Sequence, residues 1–327
     1  MKYISIIGSL NTDLVTTTIR LPIGGETLTA TSFFTGLGGK GANQAVACAR
    51  LSQPNPSASL QSKTSKDVIV KMIGAVGADE FGPRMKSLMA IDGVDTSKVE
   101  VKEGQKTGVA VIIVEESTGE NRILLNPGAN YTLTPDQFEQ VSSLGNPLPD
   151  IIILQLEIPL PTVLRIIRIA KKAGVEVVLN PAPAIKLPAE AYQNLSHLIL
   201  NESEASTLTG RSLSEVSHAD FDWEVVIKEF LAKGVQNVII TLGARGAYFA
   251  SNTTKEVSVK HLPAFKVDKV VDTTAAGDTF VGSYTLDIVR GEKNIEEIIR
   301  YACLTAARTI EKRGAQESIP WSNEVDR

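Results

Sequence analysis

Residues 272–283 read DTTAAGDTFVGS, and the organisation of the chain can be worked outward from them. Upstream lies a β-rich run, EVSVKHLPAFKVDKVV. Downstream, over 279–290, Phe280, Val281, Tyr284 and Ile288 fall at the spacing of one helix face. The segment predicts a strand, a tight turn and a helix. The small residues Ala275, Ala276 and Gly277 let the backbone approach a ligand, at the point where a helix start leaves N–H groups unpaired and a partial positive charge exposed. An anion is the natural guest of such a turn. Asp278 does not belong in an anion site on charge alone. It is either an N-cap or first-turn acid or a carboxylate with proton-handling work.

The chain has 327 residues, 43% of them hydrophobic, enough for one large α/β domain or two smaller ones. Lys and Arg number 33 against 37 Asp and Glu, and the net charge of −4 is spread along the sequence. No basic block points to nucleic acid or to an anionic membrane, so small molecules are the expected partners. The opening MKYISIIGSLNT has too short an apolar run before Gly8 for a signal segment or a bilayer span. It predicts a first strand in an intracellular protein, cytoplasmic, with the nucleus also open to a eukaryotic chain. Cys48 and Cys303 lie in alanine-rich helical patterns and read as buried free thiols. His197, His218 and His261 form no ligand spacing with them, which argues against a transition-metal site.

Short apolar runs recur at 3–8, 68–77, 151–155, 175–180, 197–201 and 237–243. Helical patterns lie between most of them, among them 161–173 closed by Gly174 and 222–233 closed by Gly234. Strands alternating with helices predict a parallel sheet covered on both faces. The runs end in polar or glycine residues: Asn11 and Asp13, Gly74, Glu157, Asn180, Asn201, and Thr241 with Gly243. Ligands of open α/β sheets bind outside the carboxyl ends of the strands, so one rim is expected to collect the chemistry. Two regions break the alternation. Residues 14–36 and 106–126 predict β-hairpins turning at Gly24-Gly25 and Ser117-Thr118-Gly119. Together they are expected to form one small sheet that projects as a lid and has an apolar face in need of a partner. Residues 53–67 have loop composition and read as a surface excursion.

The second dense motif is GLGGKGANQA at 36–45. It contains GxGxxG, but the preceding TATSFFT is too polar for a central parallel strand, and Asp67 lies beyond the ~20-residue spacing of a dinucleotide site. A Walker A loop fails because Lys40 is followed by Gly41 rather than Ser or Thr. A glycine turn remains, followed by a helix from about Ala42 that presents Asn43 to a ligand. Lys40 and Asn43 are donors, and Asn11 and Asp13 can serve a polyhydroxylated molecule, although singly they are more often turn residues.

GSLNTD at 8–13, GGKGANQA at 38–45, NPAPA at 180–184, NESE at 201–204, TLGARG at 241–246, DTTAAGDTF at 272–280 and RGAQESIP at 313–320 together resemble the ribokinase branch of the PfkB family of sugar kinases, in order and spacing across essentially the whole chain. The resemblance implies one kinase domain over 1–327: a three-layer α/β/α fold with a mostly parallel central sheet and a small β-sheet lid. It implies ATP-dependent phosphorylation of D-ribose at the 5-hydroxyl. Asn11, Asp13, Gly39, Lys40 and Asn43 would hold the sugar, with Glu157 closing the pocket. Asp278 would be the catalytic base, and the amides of Ala275, Ala276 and Gly277 the anion hole. Asn201 would meet the nucleotide phosphates, and Glu204 would organise water around Mg²⁺. Thr241, Leu242, Gly243, Ala244, Arg245 and Gly246, with Cys303, would flank the adenine nucleotide. Asp272, Thr274, Thr309, Lys312, Gly314 and Ser318 would hold K⁺, mostly through main-chain carbonyls, and a homodimer would form through the lid sheets.

The sequence departs from that family's pattern at Ala275, where a third glycine is common, at Cys303, where His or Asn is frequent, and in the length of 53–67. An Asp at its ordinary pKa of about 3.9 is ionised at pH 7, and an adjoining anion hole is expected to hold that value down. A related sugar or nucleoside kinase acting on deoxyribose, fructose or adenosine is the alternative among enzymes. A sugar-binding regulator without catalysis is the alternative outside them, and Asp278 beside an intact anion loop favours the enzyme.

Overall fold

The computed structural model describes residues 1–57, 67–118, 120–252 and 257–326. Nine strands form the central sheet: β1 (Lys2–Ile7), β4 (Val68–Gly77), β5 (Asp95–Lys102), β8 (Ile151–Leu154), β9 (Glu176–Leu179), β10 (His197–Asn201), β11 (Asn237–Thr241), β12 (Ala247–Ser251) and β13 (Lys260–Leu262). Their order is β13-β12-β11-β10-β9-β8-β1-β4-β5, parallel from β11 through β5, with β12 and β13 antiparallel at one edge. The remaining strands, β2 (Asn11–Thr18), β3 (Ser32–Gly38), β6 (Gly108–Glu115) and β7 (Asn121–Asn126), form a separate sheet ordered β3-β2-β6-β7.

The helices are α1 (Lys40–Leu51), α2 (Phe81–Ile91), α3 (Leu160–Ala173), α4 (Ala189–Tyr192), α5 (Glu202–Thr209), α6 (Leu213–Val216), α7 (Trp223–Ala232), α8 (Ala276–Arg290) and α9 (Ile295–Thr309). The sheet's period of two sorts them into layers. Ile4, Ile6, Ile151 and Ile153 face one way and pack with α1, α2, α8 and α9, while Ile7, Ile152 and Leu154 face the other and pack with α3, α5 and α7. This alternation within continuous apolar runs produces the three-layer fold expected from the sequence.

Several local expectations change. Of the β-rich run before the 272–283 turn only Lys260–Leu262 is a strand, β13, and 263–271 lies between β13 and α8 without sheet partners, while α8 itself starts earlier, at Ala276. Helix α1 begins at Lys40 rather than Ala42. Asn11 and Asp13 are not at the end of β1 but open β2, in the small sheet, where β2 pairs antiparallel with β3 and parallel with β6. Gly24-Gly25 falls within a longer connection between β2 and β3 rather than in a tight hairpin turn. Most of the 53–67 excursion, and Gly119 of the second turn, lie outside the described residues.

Candidate active site

The start of α1 is built around a close backbone approach. Gly39 has φ of 86°, and a Cβ there would stand 2.6 Å from the Asn11 nitrogen, so the turn into α1 requires glycine. This packing sets Lys40 and Asn43 against the first residues of β2. Glu157, beyond the end of β8, gathers the region. One of its carboxylate oxygens accepts from the Ser9 hydroxyl at 2.6 Å, the Lys40 backbone N–H at 3.0 Å and the Asn11 amide at 3.3 Å. Asn11 is oriented in turn by Asn130, which donates to its Oδ1 at 2.7 Å and also bonds both backbone polar groups of Leu10.

Asp278 lies in the first turn of α8, buried, and faces α1. Asn43 Nδ2 donates to its Oδ2 at 3.0 Å and Gln44 Nε2 to its Oδ1 at 2.8 Å. The Asn43 Oδ1 atom is buried without a partner, a polar handle left for a ligand. Ala275, just before α8, is the non-glycine residue held at positive φ among the described residues, at 62°, and a Cβ on Gly277 would meet no neighbour. The Ala276 N–H is bonded to the Thr273 carbonyl at 3.3 Å, while open space lies beside Gly277 in the first turn of α8. A cavity of about 190 Å³ occupies it, lined by Lys40, Asn180, Asn201, Glu204, Thr241 and Asp278 among others.

Burial dominates the electrostatics. It pushes the Asp278 carboxyl above its ordinary range, although Lys40 and the amides of Asn43 and Gln44 pull it back. The lowering expected from the anion hole is overturned, because the carboxylate loses more hydration than those donors return. Burial, then the carboxylates of Glu157, Glu317 and Asp278, push Asp13 up to about 7 against the pull of Lys40. Burial draws the Lys40 ammonium down, but Asp278, Glu157, Glu204 and Asp13 outweigh it and hold its pKa above the usual lysine value.

At the end of β10, Asn201 caps α5. Its Oδ1 accepts from the Glu204 backbone N–H at 2.8 Å, and Glu204 returns one oxygen to the Asn201 N–H and the other to its side-chain amide. Both residues line the cavity. Thr241 lines it as well, whereas Leu242, Gly243, Ala244, Arg245 and Gly246 lie in the connection from β11 to β12, where Arg245 pairs with Glu202 at 2.8 Å. Cys303, half-buried on α9, packs against the adjoining core, and burial pushes its thiol up to about 11.

Beneath the α8 turn, two loops meet at Asp272. Its Oδ1 accepts from the Thr274 backbone N–H and hydroxyl at 2.9 and 2.7 Å, and its Oδ2 from the Gly314 N–H at 3.0 Å. The Ile310 carbonyl accepts from the Val271 and Asp272 N–H groups. Thr309 spends its hydroxyl on Thr279 and the Thr305 carbonyl, Ser318 on the Ala315 carbonyl, and Lys312 pairs with Glu324. What these residues have left for a cation is main-chain oxygen and Asp272 Oδ2, which accepts a single hydrogen bond.

Gln44, Gln155, Asn130 and Ser9 are site residues that the sequence reading did not single out. Gln44 stood inside the quoted GGKGANQA, and a buried glutamine among alanines on a helix was its available signal.

The geometry brings polar residues of α1, the start of β2 and Glu157 beside a buried carboxylate at a helix start, and the chain belongs to the pfkB family of carbohydrate kinases, which it matches over residues 1–322. It is 44% identical to a ribokinase of Schizosaccharomyces pombe, with 100% of this chain and 97% of that protein covered, and 38% identical to a ribokinase of Haemophilus influenzae, covering 99% and 97%. Among solved structures it resembles an Arabidopsis thaliana ribokinase complexed with ribose and ATP, at 29% identity and a TM-score of 0.81 over 98% of this chain and 96% of that one.

Proposed function

We propose that the chain is a ribokinase that transfers the γ-phosphoryl group of ATP to the 5-hydroxyl of D-ribose. The observation that carries this reading is the juxtaposition, in one site, of the buried Asp278 carboxylate, the open space beside Gly277 at the start of α8, and a set of polar donors and acceptors from α1, β2 and Glu157. Asn11, Asp13, Gly39, Lys40, Asn43 and Glu157 hold the sugar. Asp278 accepts the proton of the attacking hydroxyl, and a weak base suffices because a loose transition state releases that proton late. The amides of Ala275, Ala276 and Gly277 stabilise charge on the transferring group, with Ala276 exchanging its 3.3 Å bond to the Thr273 carbonyl for the anion. Asn201 meets the nucleotide phosphates, and the adenosine extends past Thr241 toward 242–246 and Cys303.

Each Glu204 oxygen accepts one hydrogen bond from Asn201 and keeps a further lone pair toward the cavity. A hard carboxylate of this kind fits a hydrated Mg²⁺, which would supply neutralisation of phosphate charge. The carbonyl-rich meeting of the Asp272–Thr274 loop with Thr309, Lys312, Gly314 and Ser318 fits K⁺, which would supply a fixed positive charge beneath the anion hole. The small sheet leaves Phe33 and Leu124, which the strand register places on one face, 62 and 68% exposed, and we assign them to a homodimer interface between lid sheets.

The test is a coupled assay of ATP consumption with ribose, 2-deoxyribose, fructose and adenosine, in which ribose is expected to give the highest kcat/KM. Asp278→Asn is expected to keep the fold and ribose binding while lowering kcat by roughly 10²-fold or more; near-normal turnover in that variant would sink the assignment.

A further inference from the structure

Behind Asp278 runs a chain of buried amides. Gln44, fully buried on α1, donates Nε2 to Asp278 Oδ1 at 2.8 Å and to Asn180 Oδ1 at 3.1 Å. Its own Oε1 accepts from Gln155 Nε2 at 2.6 Å. Gln155 is fully buried as well, and its Oε1 lies 1.9 Å from where a Cβ on Gly8 would stand. Gly8 thus leaves the space that Gln155 fills.

The direction of this chain is fixed by its chemistry. Were the Gln44 amide turned over, its oxygen would face the Asp278 carboxylate and the Asn180 oxygen, the latter fixed by the Asn180 amide's bond to the Ile199 carbonyl, and its NH₂ group would face the NH₂ of Gln155, so three attractive contacts would become repulsive. A donor is therefore presented to Oδ1 permanently, while Oδ2 shares Asn43 on the side of the unpartnered Asn43 oxygen. We propose that Gln44, backed by Gln155, is a positioning residue that keeps Asp278 in its ionised form and aims Oδ2 at the reacting hydroxyl.

The inference rests on Asp278 as the base. A protonated carboxyl must turn one oxygen into a donor, and with N–H groups facing both oxygens it loses a hydrogen bond in doing so. Among the charged groups acting on Asp278, Lys40 on α1 favours the ionised form, and Glu157 beyond β8, Asp13 on β2 and Glu204 on α5 oppose it. The two amides act on the same side as Lys40, against burial.

The experiment is the pH dependence of kcat for Gln44→Leu, with Asp278→Asn in parallel. The acid limb of the Gln44→Leu profile is expected to move up by about one pH unit, a tenfold rise in proton affinity or ~1.4 kcal/mol. KM for ribose should stay within about threefold, since Gln44 does not reach the sugar side of Asp278, a loss in kcat alone being the mark of an interaction used in the transition state. If Asp278→Asn turns over normally, the base reading fails and this inference with it. If Asp278→Asn is inactive but Gln44→Leu titrates like the wild type, the base stands and the positioning role is overturned. Should Gln44→Leu fail to fold by thermal melting, Gln155→Met, which does not touch Asp278, is expected to shift the limb the same way by less, and an unshifted limb there overturns the proposal equally.

Discussion

Arg50, near the C-terminal end of α1, joins the sugar-side helix to the loop that carries Gly314. Its Nε and Nη2 donate to the two Asp92 oxygens, each at 3.0 Å. Its Nη1 donates to the Gln316 and Ile319 carbonyls at 2.5 and 3.0 Å, and the guanidinium lies 5.3 Å from the centre of the Trp321 ring. Arg50→Met would leave the Asp92 carboxylate, whose side chain is only 11% exposed, without its counter-ion. Breaking a buried pair from one side costs about 3–5 kcal/mol. Because both side chains keep some solvent contact, the low end, about 3 kcal/mol, is the expected loss. At about 2.1 cal/mol/K per residue, unfolding of a 327-residue chain carries roughly 0.7 kcal/mol/K, so Tm should fall by about 4 °C. Adding Asp92→Leu removes the stranded charge, and the double variant should regain at least half of that loss. The carbonyl contacts to 316–319 stay broken in both variants, so both should need more K⁺ for half-maximal rate. Burial already pushes the Asp92 carboxyl up despite Arg50. A carboxyl raised in the folded state destabilises at pH above its folded pKa and is relieved as pH falls through it, so the Arg50→Met deficit should narrow in mild acid. Calorimetry and K⁺ titration of the initial rate read these effects. A double variant as unstable as the single one would refute the reasoning, because the stranded carboxylate would then not be what destabilises the fold.

Three further outcomes are expected. Asp13, with its carboxyl pushed up to about 7, should make kcat/KM for ribose rise from about pH 6 to about pH 8 as the free enzyme gains a hydroxyl acceptor, and Asp13→Asn should flatten that rise; a wild-type profile already flat in this range would count against it. Replacing K⁺ by choline should depress kcat, and an unchanged rate would remove K⁺ from the Asp272 loop. Light scattering at micromolar concentration should give twice the 35.1 kDa chain mass, and Leu124→Asp should halve it, whereas a monomeric wild type would end the lid-interface assignment.

The apolar runs were enough to fix the α/β class, because strands covered on both faces need continuous hydrophobicity and each run is bounded by turn chemistry. The α8 turn was legible too, since Ala275, Ala276 and Gly277 before a helical period admit few other readings. The strand expected before it forms only at Lys260–Leu262, well short of the turn, since β-propensity in 257–271 finds a sheet partner nowhere else in that stretch. Position along the chain also misled for Asn11 and Asp13, which continue past β1 into a second sheet, a choice made by pairing with Gly38 and Gly108 far away in sequence.

The sequence by itself determined the residue types of the site and the order in which the chain delivers them, because small residues, caps and periodicity are local properties. Only the tertiary structure decided which of those residues share a charge. Asp278 is raised rather than lowered because folding strips its water, and its two oxygens are claimed by Asn43 and Gln44 from a helix more than 230 residues away in sequence. Desolvation and hydrogen-bond direction depend on what surrounds an atom in space, and no local pattern in DTTAAGDTFVGS contains Gln44, Gln155 or the gap left by Gly8.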